Sequence, residues 1–253
     1  QNDFTGENNM KKQLLAMAVL AGAASVTQAD IIGASAGAYY WKQSWDGDVQ
    51  SGPDSIDTKK DLGYDEDNGN SIYVALEHPV PVLPNIRLQR TDIEISESNQ
   101  LSRNFTFEGD TYTVADTVDS TTDLTHTDAT FYYELLDNWV NLDLGLTVRM
   151  FDGEVRLATT GREGSIELDA PVPMLYANAR FNLPLTGLYA QAVGNVISVS
   201  DNSVTDLAVG IGYEVAVVSL EAGYRSFDVS LEDDDEEAGI TVDGVYFGIN
   251  IDI

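Results

Sequence analysis

The stretch Val140–Met150, VNLDLGLTVRM, alternates without a break. Val140, Leu142, Leu144, Leu146, Val148 and Met150 fall on one side, and Asn141, Asp143, Gly145, Thr147 and Arg149 on the other. Successive side chains of a strand point to opposite faces, so the pattern predicts a strand with one apolar and one polar face. The same period runs through Leu175–Leu183, Asp206–Val215 and Val245–Ile253. It is weaker in Ile31–Trp41, Asn70–Glu77, Asn85–Ile95, Thr125–Leu135, Leu188–Val199 and Val218–Phe227. Ten segments result. Two lose phase, near Arg90 and near Ser226, which reads as a bulge or as the strand leaving a membrane band.

The connections alternate as well. HPVPVLPN, LDNW, NLPLTG and EVAVV are short, whereas the stretches 44–69, 96–124, 152–172, 200–205 and 228–243 are mostly longer, polar and acidic. Short turns at one end and long loops at the other predict an all-β fold, a transmembrane antiparallel up-and-down barrel of about ten strands. The turns would be periplasmic and the acidic loops external. Phe105–Val114, inside the second loop, reads as a small extra hairpin. A soluble sandwich would also alternate, but its connections would follow no such rule. Aromatic residues at the segment ends favour the barrel. Trp41, Trp45 and Phe151 at the loop side, with Trp139, Phe181 and Tyr189 at the turn side, read as two interfacial girdles. Leu142, Leu144, Leu146, Ile211 and Phe247 share the lipid-facing phase.

A sheet in lipid cannot leave an edge, so the last segment is expected to pair with the first. Its final residues, GINIDI, resemble the C-terminal assembly signal of outer-membrane proteins, Gly-x-x-aromatic-x-aromatic. Gly248 fits that signal, and Ile251 and Ile253 stand where the aromatics usually are. At the other end, Lys11 and Lys12 precede an apolar run, Leu14–Ala24, and Thr27-Gln28-Ala29 supplies small residues before Asp30. This predicts a signal peptide over 10–29, preceded by an extension (1–9) that has no place in a signal peptide, with a barrel over 30–253. ADIIGASAGAYYWKQSWDGDV, VPVLPNIRLQRTD and GYRSFD together resemble a family of small proteobacterial outer-membrane β-barrels. The resemblance implies fold and an outer-membrane location, with no chemistry attached.

Composition narrows the partners. The formal net charge is −29, and there is no cysteine. Such acidity excludes nucleic acid as a natural partner, because phosphate needs a basic surface. Outer-membrane lipid, lipopolysaccharide and, during biogenesis, the barrel-assembly machinery remain as expected partners. The segments 46–67 and 231–243 carry eight and seven carboxylates. They read as a solvated acidic surface, or as weak Ca²⁺ or Mg²⁺ sites, with Asp233, Asp234 and Asp235 the candidate ligands. No resident cofactor is otherwise expected.

The polar faces hold the candidate chemistry. Arg87, Arg149, Arg180 and Arg225 all fall on lumen-side positions, in a chain with only thirteen Lys and Arg. Glu77, Glu94, Asp128, Glu134, Asp143, Glu214 and Glu221 are the expected partners. One network filling a narrow lumen is the favoured reading, and a charged lining for an anionic solute the rival. His126 and Asp128 also face inward. Omptin-type proteases use an Asp–His pair with further aspartates at that level, and outer-membrane lipases and lipid A deacylases use His-x-Ser. Here Asp128 occupies the serine position, and only the His-x-Asp fragment is present. A non-enzymatic structural or surface-interacting barrel with a filled lumen is therefore expected. The alternatives are a narrow solute channel and a hydrolase built on His126 and Asp128.

Overall fold

The computed structural model describes residues 33–51, 54–114, 116–169, 171–233 and 236–253. The expected extension and signal peptide lie outside them. All regular elements among the described residues are strands. They are β1 (Gly33–Ser51), β2 (Asp54–Asp57), β3 (Glu66–Glu77), β4 (Asn85–Thr91), β5 (Glu94–Gln100), β6 (Phe105–Phe107), β7 (Asp110–Tyr112), β8 (Thr117–Asp123) and β9 (His126–Asp137). There follow β10 (Val140–Phe151), β11 (Gly153–Thr159), β12 (Arg162–Leu168), β13 (Pro171–Asn182), β14 (Leu188–Val199), β15 (Asn202–Val215), β16 (Val218–Asp233) and β17 (Glu236–Asp252).

Ten of these close a barrel. The order β17-β16-β15-β14-β13-β10-β9-β4-β3-β1 is antiparallel throughout, with β2 an appendage on β1, and β17 pairs back onto β1 from Ser35↔Asp252 to Ser51↔Glu236. Main-chain bonds between Ala34 and Ile253 (2.9 Å in each direction) extend that seam. The closure satisfies every edge, as a membrane sheet requires. The four turns at one end are short, and two use left-handed residues, Leu185 (φ 67°) with Gly187 (φ 74°) and Ala216 (φ 56°). At the other end two connections carry added structure besides β2. One supplies β5 and β8, the other β11 and β12, and these four make a second sheet in the order β12-β11-β8-β5. β6 and β7 form the small hairpin expected over Phe105–Val114.

The outside of the barrel is an apolar belt. Leu144, Leu146, Leu175, Val209, Ile211, Leu220, Phe247 and Ile249 are all exposed. Exposed apolar surface of that extent cannot face water, and it places the barrel wall in lipid.

The phase near Arg90 and Ser226 is not broken. β16 keeps one register with β15 from Ser203↔Ser230 to Val215↔Val218, and with β17 from Val218↔Ile251 to Asp233↔Glu236. The polarity of its faces changes instead. Val218, Leu220 and Tyr224 are exposed on the outer face, and the same face continues with Ser226, Asp228 and Ser230. On the inner face Ser219, Glu221 and Arg225 give way to Phe227 and Val229, all buried. The same switch occurs on β1, where Tyr40 outside is followed by Lys42, Asp46 and Asp48. Inside, Trp41, Trp45 and Val49 are buried. It recurs from β4 to β5, where Ile86 and Leu88 outside give way to Arg90, Asp92 and Glu94, over buried Ile93 and Ile95. The strands continue out of the lipid, and their outer face meets water while their inner face meets a dry core.

That core lies wholly toward the loop end. Trp41, Trp45, Phe227 and Val242 from the barrel wall pack with Ile93, Leu124, Val155 and Leu157 and with Phe105, Phe107 and Tyr112 of the hairpin. The stretches expected as polar loops are therefore mostly sheet around an apolar interior. Tyr64 spans it, its ring edge-on to Trp45 (6.1 Å) and its hydroxyl 3.0 Å from Thr122 Oγ1.

Five residues stand elsewhere than expected. Glu94 is outside the barrel on β5, exposed, and takes no part in the lumen. Partial burial and the neighbouring carboxylates of Asp123 and Asp67 hold its carboxyl above the usual range. Trp41, Trp45 and Phe151 are on the inner face, so they form no girdle. Tyr189 also points inward and is buried. Trp139 and Phe181 alone of the set are exposed, in edge contact at 5.4 Å.

Candidate functional site: the filled lumen

Four inward charges meet at the level where the wall leaves the lipid. Arg149 on β10 lies directly across from Asp128 on β9. Its Nε donates to Asp128 Oδ1 (2.8 Å) and its Nη2 to Asp128 Oδ2 (2.7 Å), a bidentate pair. The same Nη2 donates to Asp206 Oδ2 of β15 (2.6 Å). Arg225 of β16 grips Asp206 a second time, Nε to Oδ1 (2.8 Å) and Nη2 to Oδ2 (2.7 Å). The chain Asp128–Arg149–Asp206–Arg225 joins four strands with no net charge, and Arg149 within it is 0% exposed. Aromatic rings of the core close over it. The Arg149 guanidinium carbon lies 5.3 Å from the Phe227 ring centre, and that of Arg225 lies 4.8 Å from Trp41.

Tyrosines and amides fill the next layer toward the turns. Glu221 accepts from the hydroxyls of Tyr189 (2.9 Å) and Tyr246 (2.6 Å). Asn250 Oδ1 accepts from Tyr39 (2.7 Å) and Tyr73 (3.2 Å). Arg87 lies flat on Tyr73, 3.7 Å from the ring centre, and donates to Gln89 Oε1 (2.9 Å). At the turn-side mouth, Tyr132 donates to Glu77 (2.9 Å), Asn178 donates to Asp143 (2.8 Å), and Arg180 bonds Glu214 while stacking 3.7 Å over Tyr189. Glu134 is exposed at that mouth. Between the charged chain and the tyrosines lies a cavity of about 70 Å³ of water-accessible space, with Arg87, Gln89, Asn195, Tyr176 and Glu221 in its wall.

The four arginines thus face inward, but they do not share one network. Arg149 and Arg225 do, Arg180 has its own partner near the mouth, and Arg87 has no carboxylate within ion-pair distance among the described residues. Asp206 completes the central chain and is not among the partners expected from sequence. Its parity, opposite to Leu207 and Val209, is the signal that could have found it. Among the inward tyrosines Tyr189 was expected elsewhere, because an aromatic residue at a segment end points first to the lipid interface.

No known protein family and no curated protein sequence matches the chain. Solved structures do. The outer-membrane protease OmpT of Escherichia coli is 10% identical, with 90% of this chain and 99% of that one covered, at a TM-score of 0.49. The Ail attachment protein of Yersinia pestis is 12% identical over 86% and 99%, at 0.33, and Neisserial surface protein A is 10% identical over 89% and 99%, at 0.31. All are outer-membrane barrels, and the likeness concerns the fold.

His126 and Asp128 are not hydrogen-bonded to each other. His126 is 0% exposed, its Nδ1 lies 2.8 Å from the Leu124 carbonyl oxygen, and its ring stacks on Phe227 at 5.5 Å. Both oxygens of Asp128 are taken by Arg149. The imidazole is thus enclosed by the core, with a main-chain carbonyl and an aromatic ring as its neighbours. Of the candidate metal ligands, Asp234 and Asp235 lie outside the described residues, and only the backbone of Asp233 is described. Among the described residues no group of three or more His, Cys, Asp or Glu is arranged to hold a metal ion.

Proposed function

We propose that the protein is an integral outer-membrane barrel with a closed lumen, a structural or surface-interacting element and not a channel or a hydrolase. The observation that carries this reading is Arg149, fully buried and held by both Asp128 and Asp206, beneath a layer of Trp41, Trp45 and Phe227. A solute would have to break both of these ion pairs and then cross an apolar core. Removing one partner of a buried pair typically costs ~3–5 kcal/mol, so the chain is a poor gate.

In this reading the short turns are periplasmic and the sheet-rich end is external. Its partners are the surrounding lipid and lipopolysaccharide, and its acidic surface recruits Ca²⁺ or Mg²⁺ weakly to bridge to anionic headgroups. Gly248, Ile251 and Ile253 serve the assembly machinery before β17 closes on β1. Single-channel recording in planar bilayers tests the closed lumen. The expected record is silent, and steady wild-type channels of uniform size would overturn the reading in favour of a solute channel.

A further inference from the structure

The cavity under the charged chain has an unbalanced wall. Its carboxylates are committed: Asp128 and Asp206 to Arg149 and Arg225, and Glu221 to two tyrosine hydroxyls. Several of its donors are not, Arg87 and Tyr176 among them. Arg87 has a tyrosine face and one amide oxygen, with no carboxylate in reach among the described residues. Tyr176, only 4% exposed, touches Tyr132 through its ring at 5.9 Å, and its hydroxyl has no hydrogen-bond partner among the described residues. Both line the same space. A half-buried cation and an unpaired hydroxyl that face one cavity suit a ligand that accepts from both.

We propose that this cavity is a binding site for a small organic carboxylate, gripped by the Arg87 guanidinium and the Tyr176 hydroxyl. A planar guanidinium matches a carboxylate edge, and Tyr73 behind it fixes the fork in place. About 70 Å³ of water-accessible space is room for a short-chain acid. Entry is from the turn-side mouth, where Arg180, Glu214 and Asn182 remain partly exposed, because the apolar core blocks the other side. The inference goes beyond a closed barrel, and binding and conductance are read by separate experiments.

The test is saturation-transfer NMR on the folded, full-length barrel in detergent, with acetate and glycine as probes. Acetate reads the carboxylate alone, and glycine reads the amino-acid source of the same group. Saturable binding of at least one is expected. It should weaken at least about tenfold in Arg87→Gln and stay unchanged in Arg156→Gln, on the outer sheet, whose charge already has Glu163. Heat-modified gel mobility confirms that each variant is folded. If Arg87→Gln does not fold, Tyr176→Phe decides, since a hydroxyl without a partner is not needed for stability. It should melt no lower than wild type and still bind several-fold more weakly. No saturable binding, or equal affinity in wild type, Arg87→Gln and Tyr176→Phe, would overturn the proposal and leave the cavity to water.

Discussion

The same strands build two different materials. Below Arg225 on β16 the wall is apolar outside and polar inside; above it, from Ser226 and Phe227 on, it is polar outside and apolar inside. No residue is inserted at the boundary, and the pleat does not slip. Each face is fitted to its own surroundings, lipid then water outside, hydrated lumen then dry core inside. A barrel strand is therefore not defined by one apolar face. Its parity is constant, and the sign of the pattern reports depth.

The comparison can be broken at its boundary first. Arg149→Ala strands Asp128 and Asp206 in a dry site and should cost ~3–5 kcal/mol, read as a large fall in the temperature of heat-modified mobility. Phe227→Ala, two residues above Arg225, removes the ring that covers Arg149 and should cost a similar ~3–5 kcal/mol through a cavity. If Phe227→Ala were silent, the outer half would not be a packed core.

Next comes the outer face of β16. Leu220→Arg puts a charge in lipid and should cost ~2–4 kcal/mol, whereas Ser230→Arg, on the same face above the band, should stay within about 0.5 kcal/mol. Equal effects at the two positions would remove the boundary. An inward control at Gly145 is unsuitable, because a Cβ there would meet the Phe131 carbonyl oxygen and Tyr132.

The smallest effect belongs to the external appendages. The Asp57 carboxylate accepts from Lys60 Nζ (2.6 Å) and from the Lys60 (2.8 Å) and Lys59 (3.1 Å) amides, which hold its pKa below the usual range. A depressed pKa contributes stability above the unfolded value, and that stability is lost as pH falls through the folded one. The turn after β2 should thus loosen at acid pH, seen as faster amide exchange at Lys59 and Lys60, while barrel melting is unmoved. Asp57→Ala should give the same exchange at neutral pH.

Much of this was legible in the sequence. Ten alternating segments, four short turns and the closing of Val245–Ile253 onto the first strand needed only parity and the rule against edges in lipid. The inward placement of Arg149, Asp128 and Arg225 followed from the same parity. What failed was the assumption that apolar means outside. It moved Glu94 into the lumen and Trp41, Trp45 and Tyr189 into a girdle, and it turned the outer sheets into polar loops. Which inward charges touch was also beyond reach, because contacts across a barrel depend on stagger between distant strands. So Asp206 went unpaired and Arg87 was given partners that it lacks.

The absence of cysteine from the chain makes the decisive measurement clean. Single cysteines placed one at a time from Val218 to Leu231 are labelled in membranes with a lipid-soluble and a water-soluble, impermeant maleimide. The account predicts lipid-side labelling at 218, 220, 222 and 224, aqueous labelling at 226, 228 and 230, and protection at Phe227 and Val229. A parity change above Arg225, with 227 and 229 reactive to the aqueous reagent and 226 and 228 protected, would contradict it and restore the bulge.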